Sequence, residues 1–333
     1  MKKTKKIIAV CLAVLMACSV TACGKDELGL GTEFAAGVAG GTLKMDSTVI
    51  SVGKTKVSYS EYLTYVYLLK HKLDSVLSNG VWNYPVADKA TVGTKATEDI
   101  IRMIIQLKVM GRCAGTKQVS LKAEEKEDAH YKAEKFCQNV PDADKKKYGI
   151  SIAGVTTVLE DNQLARKVYD VVTGSVDSNI SAQDTEAVKV QMIQLLFKGT
   201  DKNGQRKNLS ESETTQLYDR ACKLAESAKQ ASSFYILAQE QSDVEQIEYN
   251  IGHDAKPEEL ATTVINLNQG GITSVIKGTD RFYIACVLEK NSAELQNEHR
   301  EELILAKQTG AFRSFYKQCA DRFSVRVSKS LLK

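Results

Sequence analysis

The chain is poor in helix-breaking residues and lacks the sequence patterns of common catalytic sites. Its 333 residues include 3 prolines, and long amphipathic segments predict a helix-rich α+β fold. The HExxH, GxSxG and CxxC patterns are missing, and the histidines at positions 71, 130, 253 and 299 stand alone, without a partner four residues away. We therefore interpret each histidine as a surface or capping residue. The sequence predicts no metal and no cofactor.

Excess charge of one sign is also lacking. The formal net charge of +4 comes from 45 Lys and Arg against 41 Asp and Glu. Four of the lysines lie in residues 1–22, which hold no acidic residue, so the rest of the chain is near neutral (4 − 4 = 0). A neutral chain offers no basic surface for a phosphate backbone, and the sequence therefore predicts no nucleic-acid partner.

Residues 1–22 have the features of an export signal. The four lysines precede an apolar run from Ile7 to Ala17, whose 11 residues suit a signal-peptide core but fall well short of the roughly 20 that span a bilayer as a helix. The next residues, Val20–Cys23, resemble a bacterial lipobox, which implies that Cys23 is diacylated and becomes the first residue of the mature chain. An ordinary secretory signal cleaved near Ala22 is the alternative.

A glycine-rich stretch follows the predicted lipid attachment site. Residues 23–45 show no sustained helical or strand period, which predicts a flexible tether. Two acyl chains hold a protein durably in a bilayer. The sequence thus predicts an extracytoplasmic protein that is anchored to the cell membrane through lipid on Cys23.

The cysteines beyond the anchor form no readable disulfide framework. Eight cysteines occur in the chain, and five remain once the signal peptide and Cys23 are set aside. They are an odd number and widely spaced, so one disulfide is possible, but buried free thiols fit the pattern better.

Helical and strand patterns divide the mature chain into two regions. Strand patterns concentrate in residues 188–292, whereas long helical patterns lie before and after them. Capping boxes at Ser58–Glu61 and Ser210–Glu213 predict two helix starts, and a further helical start is predicted near Ser181. The first strand is predicted at Thr48–Val52.

Three stretches of the chain resemble segments of the bacterial extracytoplasmic foldases of the PrsA and SurA type. Residues 48–61 resemble the opening strand, turn and capped helix of that family. Residues 231–242 resemble the parvulin pattern G-x-x-F-x-x-L-A-x-x-x-S, and residues 267–284 resemble the parvulin ending L-x-x-G-x-I-S-x-P-V-x-T-x-x-G-Y-H-I. The stretches occur in the family's order behind a lipobox.

The resemblance implies both a fold and an activity. It implies a helical chaperone domain built from residues 46–187 plus 293–333, into which a parvulin-like α/β module, residues 188–292, is inserted. It also implies that the protein is a foldase or chaperone that binds unfolded or partly folded exported proteins. The activity implied for the module is peptidyl-prolyl cis-trans isomerisation.

The chain departs from the family at the positions that carry catalysis. Active parvulins place two histidines and an aspartate or cysteine around the prolyl bond, and the corresponding positions fall here on Gln194, Tyr283 and Val244, with Asp243 beside the last. In the apolar cup for the proline ring, Lys256 and Leu260 replace a methionine and a phenylalanine. The catalytic residues therefore remain unknown, and the departures imply an isomerase activity that is weak or lost.

Two alternative functions stay open. A solute-binding lipoprotein of a transporter would share the anchor and tether, but should alternate strands and helices across two similar lobes. An ordinary active isomerase is another alternative.

Client proteins would need a broad apolar groove. The sequence offers five candidates for its lining, each of which fits the core better: Tyr62, Tyr65, Met103, Met110 and Phe315.

Overall fold

The protein has an α+β fold that divides into two compact units. The computed structural model describes residues 35–36, 43–74, 82–87, 90–200, 206–290 and 292–331. The first unit comprises the described residues up to Val176 and from Gln308 onward, and the second unit is Asp177–Lys307. The second unit begins 11 residues before the predicted module (188 − 177) and ends 15 residues after it (307 − 292). Cys23 and the signal peptide lie outside the described residues.

The strands and helices of the described residues have the following bounds. The strands are β1 (Ala35–Ala36), β2 (Thr48–Val52), β3 (Thr55–Ser58), β4 (Pro85–Ala87), β5 (Ala90–Thr91), β6 (Ala187–Leu196), β7 (Lys198–Thr200), β8 (Arg206–Asn208), β9 (Glu248–Gly252), β10 (Ile276–Lys277), β11 (Arg281–Lys290) and β12 (Val325–Val327). The α-helices are α1 (Tyr59–Asp74), α2 (Val92–Cys113), α3 (Ala123–Gln138), α4 (Asp142–Tyr148), α5 (Ile152–Gly174), α6 (Glu211–Gln230), α7 (Phe234–Gln241), α8 (Glu258–Asn266) and α9 (Ala293–Ala320). Among these helices, none is both long and apolar enough to cross a membrane.

A hairpin opens the first unit. The predicted strand Thr48–Val52 is confirmed, and Gly53 turns the chain at a φ of 56°, where a side chain would be strained. The chain returns as β3, a short strand that the sequence analysis assigned to the turn and the helix start. The first sheet has the order β1-β12-β2-β3, and β1 lies within the predicted tether. The flexibility of residues 23–45 stays a prediction.

The core of the first unit lies between helices and this sheet. It joins α1, α2, α5 and the last turns of α9 to β2, β3 and β12. Helical spacing predicts that the isoleucines at positions 100, 101, 104 and 105 share one apolar face, and all four are buried in α2. The helix begins at Val92, because the Thr91 hydroxyl accepts a hydrogen bond from the Thr94 backbone N–H and caps it there.

A buried lysine crosslinks three helices of this core. The Lys108 ammonium on α2 lies 2.6 Å from a Glu61 oxygen on α1 and 2.5 Å from an Asp161 oxygen on α5. The predicted capping box at Ser58 is therefore half formed: the Ser58 hydroxyl accepts from the Glu61 backbone N–H at 3.2 Å, while the Glu61 carboxylate binds Lys108. A charge-assisted contact to a buried ammonium outweighs a bond to a backbone N–H.

In the triad of Glu61, Lys108 and Asp161, burial and the attraction between opposite charges have opposite effects on the pKa values. Burial raises the pKa of Glu61, and the charge of Lys108 opposes that rise. For Lys108, burial alone would lower the pKa, yet the charges of Asp161 and Glu61 outweigh it and raise the pKa above its usual value of 10.5. The contribution of Lys108 to stability is thus fully present below its unfolded pKa and is lost as the pH rises through the higher folded pKa.

The second unit is built on a four-stranded antiparallel sheet of order β10-β11-β6-β9. Alternate residues of β6 and β11 point to opposite faces. One face packs against α8 and the other packs against α6 and α7. The predicted strand from Val188 to Phe197 is confirmed as β6, shifted by one residue at each end. Each face of the sheet therefore has its own apolar layer.

Two local predictions for the second unit have opposite outcomes. The capping box at the start of α6 is confirmed, because the Ser210 hydroxyl accepts from the Glu213 backbone N–H and the Glu213 carboxylate accepts from the Ser210 backbone N–H. The helical start near Ser181 is wrong. The Ser181 hydroxyl instead donates to Asp184 and accepts from its backbone N–H, which closes a turn.

We expect Lys108→Met to destabilise the first unit by about 3–5 kcal/mol, because Glu61 and Asp161 would remain as uncompensated buried charges. Urea unfolding followed by circular dichroism measures the change. Lys95→Met is the matched control, since Lys95 and Glu98 form an exposed pair worth about 0–1 kcal/mol. Equal stabilities for the two variants would show that the triad contributes nothing.

Candidate functional site

Gln194 and Tyr283, the two residues that the sequence resemblance aligns with the parvulin histidines, lie side by side on the sheet. Tyr283 on β11 is the direct cross-strand partner of Gln194 on β6. Both side chains belong to the face that packs against α8, because Gln194 follows Met192 by two residues and Tyr283 precedes Ala285 by two. The structure thus brings together two of the residues that the sequence analysis selected.

The amide of Gln194 is buried and fully bonded. Its side chain belongs to a residue that is 3% exposed. The amide nitrogen donates to the Tyr249 hydroxyl at 2.7 Å, and the amide oxygen accepts from Arg281 Nη1 at 2.9 Å. The Tyr249 hydroxyl in turn donates to the backbone carbonyl of Gln246 at 2.9 Å. Gln194 is thereby held in one orientation between β9 and β11.

Arg281 closes this network from the other side. Its Nε and Nη2 atoms donate to the two carboxylate oxygens of Asp280 at 2.8 and 2.9 Å, in a bidentate pair. These hydrogen bonds lower the pKa of the Asp280 carboxyl, which keeps the pair ionised. The third nitrogen of Arg281 is the donor to Gln194, so all three guanidinium nitrogens have partners.

Tyr283 is half-buried beside the network. Burial raises the pKa of its phenol above the usual value, so the hydroxyl keeps its proton in neutral solution. Its ring packs against Gly278, where an added Cβ would come within 2.7 Å of a ring carbon. A larger residue at Gly278 would therefore displace Tyr283.

The position that corresponds to the parvulin aspartate or cysteine has a structural role. Asp243 Oδ2 accepts from the Leu196 backbone N–H at 2.8 Å, and the Asp243 backbone N–H donates to the Gln194 carbonyl at 2.8 Å. The Val244 backbone N–H donates to the Ser242 hydroxyl at 3.2 Å. Residues Ser242–Val244 thus lie along β6 beyond its pairing with β9. The Asp243 carboxylate accepts a hydrogen bond from a backbone N–H of β6.

Leu260 and Lys256, the two residues predicted at the proline-ring cup, differ in their burial. Leu260 on α8 is 2% exposed and packs in the apolar layer with Met192 and Val264. Lys256 is exposed and lies two residues before α8. The Leu260 side chain is enclosed by the core in this conformation, and its contact with a substrate stays a prediction.

The side chains of this cluster form a network suited to holding the strands in register. An amide does not titrate, the phenol of Tyr283 is neutral, and the charge of Arg281 is matched by Asp280. General acid–base chemistry needs a group that exchanges a proton near the working pH. Of the side chains around the Gln194 amide, Asp280, Arg281 and Tyr283 supply no such group.

One histidine of the second unit differs from its interpretation as a surface or capping residue. His299 on α9 is 4% exposed and lies against Gly252, with its ring nitrogens 3.3 Å from Asp254 Oδ1 and 3.5 Å from Glu302 Oε2. The histidine packs where glycine leaves room for the ring. In the part of the chain that the structure describes, no group of three or more His, Cys, Asp or Glu side chains could hold a metal ion.

The five candidates for a client-binding groove belong to the core of the first unit. Tyr62, Tyr65 and Met110 are buried, and Met103 and Phe315 pack against the same cluster while half-buried. The Tyr65 hydroxyl also donates to Asp161 at 3.3 Å. The interpretation of these positions as core residues is therefore confirmed for the three buried ones.

Apolar side chains are exposed on helices of both units, among them Tyr131 on α3 of the first unit and three residues on α6 and α7 of the second. Tyr235 and Ile236 on α7 are 40% and 55% exposed, and Tyr218 on α6 is 45% exposed. The two helices are linked by a hydrogen bond of 3.1 Å from Arg220 Nη2 to Gln241 Oε1. Sequence periodicity did not identify these positions, because α7 is only eight residues long.

Comparison with known proteins gives structural neighbours only. No family model matches the chain, and no curated protein matches it. Its structural neighbours are foldases of the PrsA and SurA type, the class that the three sequence stretches resemble.

Three of these neighbours illustrate the extent of the likeness. Foldase protein PrsA of Streptococcus pneumoniae has 19% identity and a TM-score of 0.33, with 83% of this chain and 92% of that chain covered. The peptidylprolyl isomerase PrsA of Bacillus anthracis has 16% identity and a TM-score of 0.31, with 70% and 98% covered. A SurA-like chaperone of Campylobacter jejuni has 11% identity and a TM-score of 0.28, with 84% and 98% covered.

We expect Arg281→Met to destabilise the second unit by about 1–3 kcal/mol, because the buried Gln194 oxygen would lose its donor. The double variant Gln194→Met with Arg281→Met removes both partners and should recover most of the loss, since Tyr249 keeps its bond to Gln246. Urea midpoints measure both effects.

The control for this prediction is Arg220→Met, which removes an exposed Arg–Gln hydrogen bond and should change stability by less than about 0.5 kcal/mol. If Arg281→Met behaved like Arg220→Met, or if the double variant were no more stable than Arg281→Met, the network would not hold the strands together.

Proposed function

We propose that this chain is a membrane-anchored, extracytoplasmic foldase that binds unfolded exported proteins and whose parvulin-like module has lost isomerase activity. The observation that carries the proposal is the cross-strand pair of Gln194 and Tyr283. The pair occupies the histidine positions implied by the sequence resemblance, and the Gln194 amide is bonded on both sides.

The chemistry of prolyl isomerisation explains why these substitutions matter. The barrier to rotation is about 18–20 kcal/mol, and the uncatalysed reaction takes tens to hundreds of seconds. An isomerase must bind the twisted amide better than the planar one. A rigid amide that already has two partners, and a Leu260 side chain enclosed in the core, offer the twisted prolyl bond neither new hydrogen bonds nor an apolar cup.

The alternative of a solute-binding lipoprotein finds less support. That class has two similar lobes of alternating strands and helices, whereas the two units here differ in architecture. The first has long helices on a sheet of short strands, and the second has a four-stranded sheet with β6 and β11 of ten residues each. The antiparallel pairing of the second sheet also differs from the parallel sheets that strand–helix alternation builds.

Client binding is proposed to use the exposed apolar surface of α6 and α7. Unfolded chains expose apolar side chains, and burying one of these against Tyr235 or Ile236 removes apolar area from water on both partners. The large apolar side chains of the first-unit core are enclosed. Non-specific apolar contacts, which need no pocket for a particular sequence, suit a protein that binds many different clients.

We expect the purified chain to leave the isomerisation of a proline peptide within about twofold of its uncatalysed half-time of tens to hundreds of seconds, as measured by a protease-coupled assay. The variant Gln194→His with Tyr283→His should isomerise the peptide faster than wild type, because it restores two ring nitrogens at the implied positions. A wild-type rate well above the uncatalysed one, which this variant cannot improve, would contradict the loss of catalysis.

The same chain should suppress the aggregation of a chemically unfolded protein on dilution, followed by light scattering. The variant Tyr235→Ser with Ile236→Ser should need at least about tenfold more protein for equal suppression, since each buried apolar side chain contributes about 1.5–3 kcal/mol. The matched control is Leu305→Ser, which removes an apolar side chain that is 57% exposed on α9. Equal effects of the two changes would exclude the α7 surface.

Membrane attachment is proposed to depend on Cys23 alone. We expect nearly all of the wild-type chain in the membrane fraction and nearly all of a Cys23→Ala variant in the soluble fraction, because two acyl chains are needed for durable anchoring. Cys222→Ala is the control and should stay with the membrane. Intact mass measurement would contradict the proposal if the wild-type mature chain carried no lipid.

A further inference from the structure

Two cysteines from distant parts of the sequence meet in the core of the first unit. Cys113 is the last residue of α2 and is fully buried, and Cys319 lies in the last turn of α9 and is 3% exposed. Both belong to the same apolar cluster, and both are free thiols. The Cys113 thiol is one of the neighbouring groups that shift the pKa of the Cys319 thiol.

Contacts on both sides of the thiol pair hold these two helix ends together. The Arg112 guanidinium lies 4.6 Å from the centre of the Phe323 ring, and the Lys117 ammonium lies 5.3 Å from the centre of the Phe315 ring. The Gly53 backbone N–H donates to the Ser324 carbonyl at 2.8 Å. The closeness of the two thiols therefore follows from the packing of the first unit.

The other described cysteines lie in different environments. Cys137 belongs to a separate cluster with Tyr67 and Val155, whereas Cys222 lies on α6 and Cys286 on β11. Cys113 and Cys319 share one apolar cluster, and neither Cys137, Cys222 nor Cys286 belongs to it.

We propose that Cys113 and Cys319 form an oxidation site that closes to an intramolecular disulfide in the presence of a small-molecule disulfide such as glutathione disulfide. This assigns to two core cysteines a covalent chemistry that is independent of the proposed foldase activity. The expected extracytoplasmic location is one where disulfides persist.

The reaction proceeds by two thiol–disulfide exchanges. The thiolate of one cysteine attacks a sulfur of glutathione disulfide, which forms a mixed disulfide and releases one glutathione thiolate. The second cysteine, as its thiolate, then attacks the protein sulfur of the mixed disulfide and releases the second glutathione. The two cysteines together lose two protons and two electrons, and one glutathione disulfide is reduced to two glutathione thiols.

The environment of the pair sets the rate of this reaction. Burial, together with the neighbouring Cys113 thiol, raises the pKa of the Cys319 thiol to about 12. A buried thiol of high pKa is a poor nucleophile at neutral pH. The first exchange therefore requires local opening at the end of α9, and mild urea or higher pH should accelerate it.

The bond would connect the two segments of the chain that build the first unit. It would enclose the 205 residues between the two cysteines (319 − 113 − 1), and this loop contains the whole second unit. A crosslink over a long loop restricts the unfolded chain more than one over a short loop. Oxidation should thus raise the urea midpoint of the first unit.

The experiment incubates the purified full mature chain with glutathione disulfide at pH 8, with and without urea below the unfolding midpoint, and blocks the remaining thiols. Peptide mapping by mass spectrometry should show the Cys113 peptide linked to the Cys319 peptide. On non-reducing gels the oxidised chain should migrate faster, and dithiothreitol should reverse both the migration and the rise in the urea midpoint.

Variants define the pairing. Cys113→Ala should abolish both the crosslinked peptide and the faster band, whereas Cys222→Ala should leave them unchanged. Crosslinks between other cysteines, glutathione on Cys113 or Cys319 without closure, or an unreacted pair even in urea would each overturn the proposal. Because the wild-type peptide map decides between these outcomes, the test does not depend on the folding of any variant.

Discussion

The antiparallel pairing of β6 with β11 is the constraint on which the candidate site depends. The register sets Gln194 opposite Tyr283 and places both on the α8 face. It also brings Arg281 near enough to donate to the Gln194 amide. Once the ladder forms, a polar side chain at position 194 lies in a nearly closed apolar layer, where it must find partners. Tyr249 and Arg281 are those partners, so the chemistry of the site follows from the need to satisfy one amide.

The two units handle buried polar groups in the same way. In the first unit, Lys108 is buried between two carboxylates from different helices, and in the second, Gln194 is buried between a phenol and a guanidinium. In both cases every strong contact joins separate elements of secondary structure. Such contacts specify which elements pack together, which an apolar layer alone does less well.

Sequence reasoning identified the features that are local in the chain. The strands β2 and β6, the capped start of α6 and the isoleucine face of α2 could all be read from spacing and capping residues. The ion-pair partner of Glu61 could not be predicted from the sequence, because Lys108 lies 47 residues away (108 − 61) and contacts Glu61 only through tertiary packing. The Tyr249 contact likewise depends on the register of β9 against β6. Arg281 could have been identified from the sequence, because it lies two residues before Tyr283 and therefore on the same face of the strand.

The segment at Ser242–Val244 covers part of an edge of the sheet in the second unit. Where β6 runs past its pairing with β9, the Gln194 and Leu196 backbone N–H groups donate to the Ser242 hydroxyl and the Asp243 carboxylate, and the Gln194 carbonyl accepts from the Asp243 backbone N–H. An open strand edge at this place would template the addition of another strand. Because these three backbone groups already have partners, they offer no ladder to an extended peptide or to a second copy of the chain.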